Sequence, residues 1–74
     1  MNVKKIIGEN IKGYRKKIGW TQEKLGVRSK LNSQYISRVE LGQENVKAET
    51  LYKIATTLKI EVGVLFKPHS FEDQ

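Results

Sequence analysis

The stretch TQEKLGVRSKLNSQYISRVE, Thr21 to Glu40, divides into two short helices with a tight bend between them. Thr21 supplies a side-chain oxygen that can cap a first helix, and Gln22, Glu23 and Lys24 behind it are good helix formers. Asn32 offers the same to a second helix running through Tyr35, Ile36 and Val39 towards Gly42. Leu25, Leu31, Ile36 and Val39 fall where two steeply crossing helices press their inner faces together. Gly26 stands at the crossing, where a side chain larger than a methyl would hold the helices apart.

This is the pattern of a helix-turn-helix, which sets its second helix in the DNA major groove. With Ile36 and Val39 turned inward, that helix displays Ser33, Gln34, Ser37 and Arg38. Gln34 can pair bidentately with adenine, Arg38 with guanine or a phosphate, and the serines with base or backbone. Tyr35 can touch a thymine methyl or a phosphate, or support the helix by packing. The bland alternative, an ordinary solvated helix face, loses weight because a well-formed first helix of the motif precedes it. The start of that first helix carries free backbone N–H groups and a positive dipole end, a natural phosphate seat to which Thr21 and Gln22 add side-chain donors. Thr21 can equally be a cap and nothing more. Beyond Gly42, Gln43, Asn45 and Lys47 can follow the phosphate backbone, as can Lys30 in the bend. Asn45 is alternatively a cap, and Glu44, which repels phosphate, is expected to point away.

Upstream, Val3 to Ile18 reads as a helix, with Ile7, Ile11, Tyr14 and Ile18 recurring at spacings of four, three and four. Gly8 and Gly13 each weaken it by about 1 kcal/mol relative to Ala, so packing must hold it, and Gly8 can admit a neighbouring helix closely. Gly19 is its expected stop. Trp20 is read as core filler between helices, ahead of a base- or sugar-stacking role. Downstream, Ala48 to Leu58 forms a fourth helix with a buried stripe of Leu51, Ile54, Ala55 and Leu58. Val62–Phe66 reads as a short fifth helix, stopped by Lys67-Pro68. Val62, Leu65 and Phe66 exceed what one short terminal helix can cover, which points to a dimer surface. The competing reading folds Leu65 and Phe66 into the core. Residues 1–67 are thus one domain and 68–74 a flexible polar tail expected to fray, with Phe71 alone able to dock on a dimer seam.

Composition limits the function classes. Seventy-four residues make one domain, which buries roughly 60% of its unfolded surface and is correspondingly marginal. There is no Cys and one His, His69, so disulfides, thiolate metal sites and a His-based relay lack parts. No nucleophile–base pair, phosphate loop or paired catalytic acids stand out, which argues against an enzyme; no cofactor or small-molecule ligand is expected. No apolar run approaches membrane-spanning length and no signal peptide is visible, so a cytoplasmic location is the default. The net charge is +6, and it is uneven. Residues 1–38 hold ten Lys and Arg against Glu9 and Glu23, a net +8, while residues 39–74 hold four Lys against six acids, a net −2. A basic half carrying the helix-turn-helix suits a polyanion.

From about Ile7 to Phe66 the chain resembles the Cro/cI-like (XRE) family of helix-turn-helix regulators. IGENIKGYRKKIGWTQ is similar to the family's first helix and the start of its second, YISRVELGQ to its third, and TLYKIATTLKIEVGVLF to its fourth and fifth. With YISRVE followed by Asn45-Val46, the chain looks most like the controller proteins of restriction–modification systems. The resemblance implies an all-α, compact five-helix, lambda-repressor-like domain that binds palindromic operator DNA as a homodimer, with RNA polymerase a further candidate partner. It implies that Thr21 and Gln22 contact the DNA backbone. It also implies a buried ion pair between Arg15 and Glu40, each set beside core positions where a lone charge costs several kcal/mol; the remaining donors of Arg15 could reach a phosphate. The family often has Gly where Lys30 stands, since the bend tends to positive φ, at a cost of order 1 kcal/mol for Lys. The alternatives are an antitoxin-type or other protein-interaction module on the same fold, or a binder of DNA without regard to sequence.

Overall fold

The computed structural model describes residues 2–71. It contains α1 (Val3–Lys17), α2 (Gln22–Ser29), α3 (Ser33–Glu40), α4 (Ala48–Leu58) and a 3₁₀ segment, Val62–Phe66. The five-helix expectation is therefore corrected to four α-helices and a 3₁₀ segment. Five residues closed by i→i+3 bonds, Val64 N–H to the Glu61 carbonyl and Lys67 N–H to that of Val64, make the last element; Pro68 denies it the next turn.

The helix starts follow local chemistry. Asn2, Thr21 and Asn32 each accept a hydrogen bond from a backbone N–H in the first turn of α1, α2 and α3. Lys47 precedes α4 with no side-chain cap bond, so Asn45 is not its cap.

All four helices end alike. Gly19, Lys30, Gly42 and Lys59 take positive φ, and the N–H of the following residue reaches back to the sixth carbonyl: Trp20 to Arg15, Leu31 to Gly26, Gln43 to Arg38 and Ile60 to Ala55. In three of the four, the residue after the left-handed one is apolar, and Trp20, Leu31 and Ile60 all pack on the core, the contact that commonly accompanies this stop. Trp20 is accordingly half-buried core filler, with Lys24 and Arg28 gathered over its ring. Lys30 has the left-handed conformation expected of the bend; Lys59 shares it without a signal in the sequence.

The core unites Ile7 and Ile11 of α1, Leu25 of α2, Ile36 and Val39 of α3, Leu51, Ile54, Ala55 and Leu58 of α4, and Leu65. Ile18 leaves the expected α1 stripe: the helix stops at Lys17 and Ile18 is exposed. α1 packs on α3 and the 3₁₀ segment, and α2 on α3 and α4. Two glycines set these approaches. A Cβ on Gly26 would lie 2.6 Å from the Leu31 carbonyl oxygen, so even a methyl is excluded from the bend. A Cβ on Gly8 would strike the Val39 carbonyl and lie 2.8 Å from that of Glu40. Those oxygens belong to the α3 backbone, which cannot swing aside as a side chain can. Gly8→Ala is expected to cost about 1–3 kcal/mol by urea denaturation, despite the gain of about 1 kcal/mol in helix propensity. An unchanged or raised midpoint would contradict the close α1–α3 approach.

Asn10 is buried in the inner face of α1. Its Nδ2 donates to the carbonyls of Leu65 (2.8 Å) and Lys67 (2.7 Å), and more distantly to Val64 (3.4 Å). One amide thereby satisfies the end of the 3₁₀ segment. Within the tail, the Phe71 ring lies against Gly13, edge-on to Tyr14 at 5.1 Å and stacked on His69 at 4.2 Å. Glu72 to Gln74, the rest of the tail expected to fray, lie outside the described residues.

Candidate nucleic-acid interface

α3 is held from beneath and open above. Ile36, Val39 and Glu40 are buried, Gln34 and Arg38 are exposed, and Ser33, Tyr35 and Ser37 are half-buried. The Asn32 side chain accepts from the Gln34 N–H at 2.7 Å and fixes the start of the helix. Thr21, Lys30, Gln43, Asn45 and Lys47 are all exposed, and Thr21 uses its hydroxyl oxygen to accept from Lys24 N–H at 3.0 Å.

Beneath this face lies the Arg15–Glu40 pair. Arg15 Nε donates to Glu40 Oε2 at 2.7 Å and Nη2 to Oε1 at 3.0 Å, while Nη1 donates to the Trp20 carbonyl at 2.6 Å. Arg15 is 7% exposed and Glu40 6%. Fork-to-fork geometry with every contact satisfied is what makes such burial tolerable. Arg15 thus directs three of its five N–H donors into the domain, two to Glu40 and one to Trp20. Gln22 is drawn the same way, its Nε2 donating to Glu40 Oε1 at 3.0 Å. The α2 start is thus pinned to α1 and α3 through one carboxylate.

Glu44 departs from expectation too. Gly42 reverses the chain after α3, and Glu44 Oε2 accepts from Arg38 Nε at 2.7 Å. The Arg38 guanidinium also lies 5.9 Å from the Tyr35 ring centre. Burial first, and the Glu44 carboxylate second, push the Tyr35 phenol above its ordinary value, with Arg38 opposing. At neutral pH Tyr35 therefore keeps its proton and can donate. Sequence reasoning missed Glu44's partner and Asn10's role. A signal for Asn10 existed: it stands three residues after Ile7, inside the apolar stripe.

The expected dimer residues separate. Val62 is half-buried and Phe66 exposed, but Leu65 has no exposed surface. Leu65 is thereby corrected from surface to core, because the 3₁₀ turn points it between α1 and α4.

A helix-turn-helix family profile matches residues 11–65, most of the chain: the second half of α1, all of α2, α3 and α4, and the 3₁₀ segment up to Leu65. The chain belongs to the Cro/cI-like helix-turn-helix family. An uncharacterized HTH-type transcriptional regulator, y4dJ of Sinorhizobium fredii, is 35% identical over 68 residues, 92% of this chain and 88% of the relative. The control protein C.SmaI of Serratia marcescens is 32% identical over 74 residues, all of this chain and 88% of its own. Among solved structures, the restriction–modification controller protein C.AhdI of Aeromonas hydrophila superposes with a TM-score of 0.82 at 36% identity, covering 85% of this chain and 96% of that one.

As a Cro/cI-like protein this is a DNA-binding transcriptional regulator, and α3 is the second helix of its motif. Among the described residues no three His, Cys, Asp or Glu side chains gather as metal ligands, and no helix is long and apolar enough to cross a membrane.

Proposed function

We propose that this Cro/cI-like regulator binds a palindromic operator as a homodimer and controls restriction–modification genes. The likeness to C.SmaI and C.AhdI, both named as control or controller proteins and both covered nearly end to end, carries the second half of that reading. The exposed face of α3 supports the first. Gln34 and Arg38 read base edges, Ser33 and Ser37 add base or backbone contacts, and Tyr35 contributes its hydroxyl or ring. Thr21, the α2 backbone N–H groups, Lys30, Gln43, Asn45 and Lys47 hold phosphates, and these contacts supply affinity that falls steeply with salt.

Val62, which lines a groove with the exposed Tyr52, and the exposed Phe66 form the surface through which two copies pair. Paired recognition helices then meet half-sites about one turn of DNA apart, roughly 34 Å or 10 base pairs. Selection from random duplex DNA tests the reading. The enriched sequence should show dyad symmetry at that spacing. Gln34→Ala and Arg38→Ala should each relax one base position, by about 1–3 kcal/mol, whereas Lys30→Ala or Lys47→Ala should weaken all sites alike. A selected motif unaltered by both α3 substitutions would assign reading to another element.

A further inference from the structure

The ion pair on the exposed side of α3 lies outside the hydrophobic core: Arg38 and Glu44 side chains are 49% and 29% exposed. A carboxylate close to a DNA-reading helix is unfavourable for phosphate, so its placement against the one Arg of that helix calls for a cause. We propose that Glu44 is a positioning residue that converts Arg38 from a phosphate clamp into a reader of guanine. This rests on the reading of Arg38 as a base contact.

The argument is geometric. A guanidinium presents five N–H donors in a rigid plane. Glu44 Oε2 takes the Nε edge at 2.7 Å, while Arg38 Cζ lies over the Tyr35 ring, 5.9 Å from its centre. Nη1 and Nη2 keep their donors without a protein partner among the described residues. That terminal pair is the one that meets O6 and N7 of guanine. Two restraints, one at the Nε edge and one from the ring, remove rotamer freedom that a long exposed side chain otherwise loses only on binding.

Charge points the same way. Phosphate attraction depends on net charge, which Glu44 locally offsets. A bidentate bond to guanine depends on the direction of two N–H groups, which Glu44 fixes. The pair therefore lowers general affinity for duplex and sharpens choice at one base pair. Gly42, by its left-handed turn, is what returns Glu44 to the side of Arg38.

The test is equilibrium binding of the full chain to its selected operator, to single-base variants of it and to random duplex, at several salt concentrations. The wild type, Glu44→Gln, Arg38→Ala and the double variant are compared, with thermal melts confirming that each is folded. Arg38→Ala should lose roughly 5- to 150-fold discrimination at one base pair, the span of a good bidentate contact. Glu44→Gln should lose at least about threefold at that same base pair while binding random duplex more tightly, with a salt dependence steeper by about one counterion. In the Arg38→Ala background, Glu44→Gln should leave every base preference unchanged. Tighter binding to all sequences with preference retained would reduce Glu44 to a surface charge and overturn the proposal. So would relaxation at a different base pair, which would make Glu44 a reader in its own right. If Arg38→Ala itself left all preferences intact, the base-reading role of Arg38 would fall first and the proposal with it.

Discussion

Arg15→Ala should lower stability by roughly 3–5 kcal/mol, the cost of stranding a buried charge whose partner has been removed. Glu40 would keep only the Gln22 amide at 3.0 Å, inside a domain where it is 6% exposed. The Trp20 carbonyl would lose its donor as well. Against the 5–15 kcal/mol typical of folded domains, and for a chain at the small end of that class, the variant should be close to unfolding at 37 °C. Urea denaturation followed by helical circular dichroism measures this directly. A second variant separates a stranded charge from lost packing: Arg15→Ala combined with Glu40→Leu removes the orphan, and should be more stable than Arg15→Ala alone. A single-variant loss below about 1 kcal/mol, or a double variant less stable than the single, would show that the pair does not carry the load assigned to it.

Asn10→Ala is expected to cost about 2–4 kcal/mol, because it leaves the Leu65 and Lys67 carbonyls without their donor at a helix–segment junction. Asn10→Asp should be at least as damaging, since it brings acceptor oxygens to face acceptor oxygens. Both should loosen the 3₁₀ segment more than α2 or α3, visible as faster amide exchange at Val64 and Lys67, whose N–H groups close that segment. Leu65 is seated by the same turn, so the core contact at its base should weaken with it. A loss under about 0.5 kcal/mol, or exchange raised uniformly over the chain, would contradict this role.

The two residues illustrate different degrees of legibility. Arg15 was visible as a charge beside core positions, and only the family resemblance supplied its partner. Three of its five N–H donors are engaged inside the domain, a number that nothing local in the sequence supplies. Asn10 carried only the weak sign of a polar residue in an apolar stripe. Its acceptors stand 54 to 57 positions away, beyond the reach of any helical periodicity. The α3 face was legible for a simpler reason: once Ile36 and Val39 turn inward, the 3.6-residue repeat leaves Gln34 and Arg38 outward. Glu44 was misread because its charge suggested avoidance of DNA, while the reversal at Gly42 delivers it to Arg38.

By itself the sequence determined where the α-helices run, how α2 and α3 are capped, most of the core stripes, and that a helix-turn-helix lies at the centre. All of that is encoded between residues three or four apart. Only the tertiary structure decided that Arg15 forks onto Glu40 and reaches the Trp20 carbonyl, that Leu65 is interior while Phe66 is not, that the last element is 3₁₀, and that Glu44 meets Arg38. Those outcomes depend on which groups meet after the chain has closed on itself, which the spacing of a helical repeat does not fix.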